Sequence, residues 1–167
     1  MTVEVKLSDG STTLLSDEDA DLAHYAWYPH PDGYVQGTMG MGRRRSGLLH
    51  RAVAERTYGP VIPPQTVDHI NRDRRDNRRE NLRLASQSQN HANAGPHAGK
   101  IHAPGYRGVT WSASCQRWYA RLMHEGHSYS LGRFKTQDEA AHAYDRKARE
   151  IHGAFALLNF PADDESN

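Results

Sequence analysis

Between residues 94 and 104 the chain runs Ala-Gly-Pro-His-Ala-Gly-Lys-Ile-His-Ala-Pro, a stretch of small residues, glycine and proline that breaks any helix or strand entering it. In a chain of 167 residues this break leaves two pieces, each able to bury only a small core. A mean hydropathy of −0.86 agrees with small polar modules joined by an exposed connection. No run approaches the roughly 18–20 apolar residues of a membrane span, so no membrane helix is expected. The opening MTVEVKLSDG lacks a basic start followed by an apolar run, so no secretory signal is expected. Cys115 is the sole cysteine, which excludes an intramolecular disulfide and a multi-cysteine zinc cage. A reducing, cytoplasmic compartment is the matching expectation.

The net charge of +1 hides an uneven distribution. Residues 1–42 hold one Lys and seven acids, a net −6, while residues 43–83 hold eleven Arg and five acids, a net +6. A segment whose every cation is Arg suits phosphate, because the guanidinium fork matches phosphate oxygens in pairs. From that run Arg43, Arg44, Arg45, Arg51, Arg72 and Arg74 are candidate DNA contacts.

Val3–Leu7 alternates apolar and polar residues, and Asp9-Gly10 signals a hairpin turn toward Leu14-Leu15. Ser16 before Asp17-Glu18-Asp19 reads as the N-cap of a short helix over 17–24. A second hairpin is expected around Asp32-Gly33, and a helix over Leu48–Tyr58 stopped by Gly59-Pro60. Thr66–Ile70 is a short strand, Asn71–Asn81 a polar loop, Leu82–Ala85 a second strand, and Ser86-Gln-Ser-Gln89 opens a helix reaching about Ala94. After the break, Arg117, Tyr119 and Arg121 alternate with Trp118, Ala120 and Leu122. Thr136-Gln-Asp-Glu139 is a capping box opening a helix with Ala140, Tyr144, Ala148 and Ile151 on one stripe. The expectation is three antiparallel strands over about 105–134 backed by a helix over 136–152.

Asp68 and His69 are adjacent at a strand end, with Asn81 twelve positions after His69 and Asn90 twenty-one after it. Phosphodiester hydrolysis needs a base near neutral pH, which suits His, and a hard divalent cation, which suits oxygen donors such as Asp and Asn. Together with Leu49-His50-Arg51, Val67-Asp-His-Ile70, Asn77-Arg-Arg-Glu-Asn81-Leu82 and Gln89-Asn90, this spacing resembles the HNH, or ββα-metal, endonucleases over roughly 48–94. Asn90 stands where many members carry a final His, as in the phage and intron homing branch. The resemblance implies that His69 activates the attacking water, Asp68 and Asn90 hold one Mg²⁺ or Mn²⁺, and Asn81 braces the loop. His91 is the rival to Asn90 as a ligand, and His50 is read as a packing or DNA-contact residue.

Residues 105–161 resemble the AP2/ERF DNA-binding domain through Tyr106-Arg-Gly-Val109, Trp118-Tyr-Ala-Arg121, Leu131-Gly-Arg-Phe134, Ala140-Ala-His-Ala-Tyr-Asp145 and Leu158-Asn-Phe-Pro161. The resemblance implies that the sheet faces double-stranded DNA. Arg107, Thr110, Ser112, Arg117, Tyr119, Arg121, Ser128, Ser130 and Arg133 would lie on that side, with Tyr144 near a phosphate. Gly132 is expected to mark a bulge that turns Arg133 onto the same side.

The sequence therefore reads as an α+β chain: a β-rich region at 1–47, a ββα-metal core at 48–94, a linker at 95–104, an AP2-like module at 105–161 and a tail at 162–167. The expected function is a monomeric, metal-dependent endonuclease that nicks duplex DNA and leaves 5′-phosphate and 3′-hydroxyl ends. The alternative is a DNA-binding regulator with a relict HNH core.

Overall fold

Asp9 and Gly10 turn the chain back on itself: Asp9 Oδ1 accepts from the Ser11 amide at 3.0 Å, and Gly10 takes φ +84°. The flanking strands β1 (Thr2–Lys6) and β2 (Thr12–Ser16) pair antiparallel. The computed structural model describes residues 1–39, 45–94 and 105–161. Arg43, Arg44, the linker 95–104 and the tail 162–167 lie outside the described residues. The chain divides into two compact units, Met1–Gln87 and Ser88–Asn167.

In the first unit the segment Asp17–His24 is a kinked 3₁₀ run, and Ser16 does not cap it. Ser16 Oγ instead accepts the Arg79 amide at 2.9 Å, a bond to a distant loop that outcompetes the local cap. Strands β3 (Trp27–Pro29), β4 (Val35–Met39) and β5 (Arg45–Leu48) then form an antiparallel sheet in chain order. Helix α1 (Leu49–Tyr58) stops at Gly59, whose φ of +82° would strain most other residues. The antiparallel pair β6 (Thr66–His69) and β7 (Leu82–Ala85) follows.

Leu15, Leu22, Trp27, Val35, Leu49, Val53, Val67 and Leu82 belong to one continuous core. The β-rich region and the strands bearing Asp68 and His69 are thus one folding body. Strand β2 also joins the loop between β6 and β7, with Leu14 N donating to Arg75 O and Asn77 N to Leu14 O, both at 2.9 Å.

In the second unit, helix α2 (Gln87–Asn93) precedes the antiparallel sheet of β8 (Val109–Ser112), β9 (Arg117–His124) and β10 (His127–Phe134), ordered β10-β9-β8. Helix α3 (Gln137–His152) packs Ala140, Ala141, Ala143, Tyr144 and Ala148 against the inner face. Its capping box forms as the spacing predicts: Thr136 Oγ1 accepts the Glu139 amide at 3.2 Å, and Glu139 accepts the Thr136 amide at 3.3 Å. After the helix, Asn159 ties the chain back to it. Asp145 accepts from Asn159 N at 2.9 Å, Asn159 Nδ2 at 3.0 Å and Phe160 N at 2.8 Å. The mixture of helices and small antiparallel sheets is the expected α+β class. Among the described residues no helix is long and apolar enough to cross a membrane.

Candidate active site and nucleic-acid interface

Strand β6 ends at His69, so Asp68 and His69 sit where the strand gives way to the loop. The register sets Asp68 opposite Arg83 and His69 opposite Leu82. Arg83 donates to Asp68 Oδ2 through Nε at 2.9 Å and lies 2.8 Å from it at Nη2. Arg83 escaped the sequence reading, although its antiparallel register with Asp68 was the signal that could have found it.

His69 is buried among Asn77, His50 and Tyr34. Its Nε2 lies 3.2 Å from Asn77 Oδ1, and its ring is edge-on to His50 at 5.2 Å between centroids. Burial pushes the His69 pKa below the ordinary 6.5, although the Asn77 bond and the Asp68 charge oppose that shift. His50, stacked 4.8 Å from Tyr34, is driven by burial and by His69 down to about 3. Both rings are therefore neutral at pH 7, the state in which an imidazole can accept a proton.

Asn81 spans the loop. Its Oδ1 accepts the Asn71 amide at 2.9 Å, its Nδ2 donates to Asp76 O at 2.7 Å, and its backbone oxygen accepts Ile70 N at 2.8 Å. Asp76 carries Arg78 through Nε and Nη2, both at 2.8 Å. The loop is thus fixed at both ends, which restrains the His69 backbone.

Asn90 and His91 lie on α2, whose residues from Ser88 onward belong to the second unit. There Ser88 Oγ lies 3.2 Å from His124 Nδ1, and the His91 carbonyl accepts from Arg107 at 3.3 Å. Among the described residues no three His, Cys, Asp or Glu side chains converge as a metal-holding group. The donor chemistry offered at the β6 end is one buried carboxylate, which fits a hard divalent ion completed by amide oxygen and water.

The arginines of the middle segment take several roles. Arg72 is exposed at the loop with φ +67°. Arg74 stacks 4.3 Å over the Tyr34 ring and donates to Asp32 O, and Arg51 reaches Val61 O at 3.4 Å. Arg45 begins β5. Arg79 is structural: it grips the fully buried Asp19 through Nε at 2.7 Å and Nη2 at 2.9 Å.

On the second unit's sheet, Ala120 and Leu122 are buried under α3 while Arg117 and Arg121 are exposed. Across β9 and β10, Ser130 pairs with Arg121 and Arg133 with Tyr119, and the register shift between Ser130 and Gly132 admits Leu131 as an extra residue. Gly132, at φ +120°, permits this bulge. Leu131 reaches the core, and Arg133 lies 5.0 Å over the outer Tyr119 ring. Thr110 and Ser112 pair with Tyr119 and Arg117 on that face, and Ser128 with Met123.

Tyr144 and Arg107 do not join them. Tyr144 is buried on α3 against Gly108, and its hydroxyl accepts from Arg107 Nε at 2.8 Å. Arg107 also donates to the Ala94 and His91 carbonyls, so its guanidinium is committed to internal partners.

Residues 48–92 match the model of the HNH endonuclease family. The chain is similar to the uncharacterized HNH endonuclease L560 of Acanthamoeba polyphaga mimivirus, 29% identical over 139 residues, 83% of this chain and 68% of that protein. It is also similar to Protein 3.8 of Escherichia phage T7, 30% identical over 107 residues, 64% of this chain and 86% of that protein. A further likeness is to Dehydration-responsive element-binding protein 2A of Arabidopsis thaliana, 36% identical over 74 residues, 43% of this chain and 21% of that protein. Through the segment that carries Asp68, His69 and Asn81, and through the phage relative spanned over most of its length, the chain belongs to the HNH endonucleases.

Proposed function

We propose that the protein is a metal-dependent endonuclease that nicks duplex DNA, with His69 as general base. The observation that carries this is the pairing of a neutral, buried imidazole with a buried carboxylate at one strand end, inside a loop locked by Asn81. His69 takes the proton of the attacking water. Asp68, oriented by Arg83, offers carboxylate oxygen to a divalent cation. When bound, Mg²⁺ or Mn²⁺ supplies charge neutralisation at the scissile phosphate and the departing 3′ oxygen. Asn90 is proposed as a second oxygen ligand on the sequence resemblance alone.

The outer sheet face of Arg117, Tyr119, Arg121 and Arg133 is proposed to hold the duplex, in keeping with the likeness of part of the chain to a plant protein named for binding a dehydration-responsive element. Each arginine that meets a phosphate adds about 0.9 to the slope of log affinity against log salt.

The test is nicking of supercoiled plasmid with Mg²⁺, with Mn²⁺ and with chelator. His69→Ala and Asp68→Ala should each abolish cutting while leaving DNA binding intact. Unchanged nicking by His69→Ala would remove the base assignment. Binding without cleavage by the unaltered chain across all metals would favour the regulator alternative.

A further inference from the structure

Which nitrogen of His69 carries the lone pair is set by a run of hydrogen bonds that passes through a residue outside the family segment. The Arg75 carbonyl can only accept, and it takes the Thr13 hydroxyl at 2.6 Å. With its proton committed there, the Thr13 oxygen faces Asn77 as an acceptor and receives Nδ2–H at 2.8 Å. The second Asn77 amide proton points to the Arg74 carbonyl at 3.4 Å. Both partners of that nitrogen are acceptors, so the amide orientation is fixed and Asn77 Oδ1 must face His69 Nε2 at 3.2 Å. A carbonyl oxygen only accepts, so Nε2 must carry a proton. Asn77 is 0% exposed and Thr13 1%, so bulk water cannot substitute for either partner. The Asn77 backbone is pinned too, by its bond to Leu14 O at 2.9 Å.

We propose that Asn77 and Thr13 are positioning residues that hold His69 in the Nε2–H tautomer, so that Nδ1 is the nitrogen that accepts the proton of the attacking water. This rests on the reading of His69 as the base. The direction is transmitted from the Arg75 carbonyl through a hydroxyl on β2, then the Asn77 amide, to the imidazole. An imidazole held in the wrong tautomer presents N–H where a lone pair is needed, and loses most of its value as a base.

The experiment has two arms on the full chain. The first is long-range ¹H–¹⁵N NMR of ¹⁵N-histidine-labelled protein at mildly alkaline pH, with the His69 signals assigned by their loss in His69→Gln. A Nε2–H pattern is expected; a Nδ1–H pattern overturns the proposal, whether or not the chain cuts DNA. The second arm is plasmid nicking by Thr13→Val, Thr13→Ser and Asn77→Leu. Thr13→Val should lower kcat about 10-fold with KM unchanged, and Asn77→Leu about 100-fold, the range expected when a general base is misaligned. Thr13→Ser, which restores the hydroxyl, should rescue the rate. Wild-type kcat in Thr13→Val overturns the relay, and this arm still decides if Asn77→Leu does not fold. If the unaltered chain shows the Nε2–H pattern and never nicks, the nuclease reading fails while the tautomer assignment stands.

Discussion

His50 shows how a single side chain can set a pH limit for the first unit. It is buried between Tyr34 and His69, and among the described residues its Nδ1 has no hydrogen-bond partner. In the unfolded chain it takes a proton near the ordinary 6.5, whereas in the fold it does so only near 3. Between those values the unfolded state binds more protons, so stability falls as pH is lowered through this window. Each fully shifted group contributes a slope approaching about 1.4 kcal/mol per pH unit. Chemical unfolding between pH 6.5 and 4.5 should show the loss, and His50→Phe should flatten it without removing the share owed to His69. Gly108 carries a steric constraint of similar sharpness. At φ +72°, an added Cβ would stand 2.1 Å from the Tyr144 ring and 2.6 Å from the Arg121 carbonyl. Gly108→Ala should cost the second unit at least about 2 kcal/mol, read as a lower denaturant midpoint. The placement of Asp68 and His69 at a strand end and of Asn81 across the loop was legible from spacing, because it depends on a short hairpin and its loop. Asn77 and Thr13 were not, because the amide and the hydroxyl that orients it are 64 positions apart.

The elements were mostly legible, and the exceptions have a common cause in tertiary bonds. Ser16 before three acids has the composition of an N-cap, yet its hydroxyl serves Arg79, and Asp19 turns inward to the same arginine. Asp19 also lies 3.4 Å from Arg56, whose guanidinium forks onto Asp21 at 2.7 and 2.8 Å. Asp19→Ala would leave Arg79 without its buried partner but able to turn to water, and thermal unfolding should report a loss of about 1.5–3 kcal/mol. Asp21→Ala, at an exposed and solvent-screened pair, should leave thermal unfolding nearly unchanged. In the second unit the bulge at Leu131 is the controlling irregularity. Ser130 and Arg133 are three apart, a spacing that would put them on opposite faces of a regular strand. Deleting Leu131 should restore simple alternation with Arg133 still on the outer face, whereas Arg133→Ala should weaken duplex binding at least about 10-fold by removing a charge from that face. Gel-shift titration at fixed salt measures it; undiminished affinity would show that Arg133 does not meet DNA.

For the whole chain, the boundary between the two units falls between Gln87 and Ser88, upstream of the Gly- and Pro-rich run that breaks the sequence, and two further features of the organisation were not visible. The sequence separates a β-rich region from the nuclease segment, whereas Leu15, Trp27 and Val35 share a core with Leu49, Val67 and Leu82. Patterning along one strand carries no record of which other strand completes its core. The second unit likewise closes through residues far beyond its sheet, since Asn159 bonds Asp145 and also the Arg107 amide at 2.6 Å. A chain ending at Leu157 should unfold its second unit first, visible as an earlier transition in Trp fluorescence from Trp111 and Trp118, with the first unit's melting unchanged. The β2 hairpin has a bearing on inheritance as well. A recombination crossover near residue 48 would deliver every motif residue to a new gene yet part Asn77 from Thr13 and Arg79 from Ser16 and Asp19. Chimaeras joined upstream of Met1 should therefore be viable, while those joined at the family boundary should inherit a motif without the scaffold that aims it.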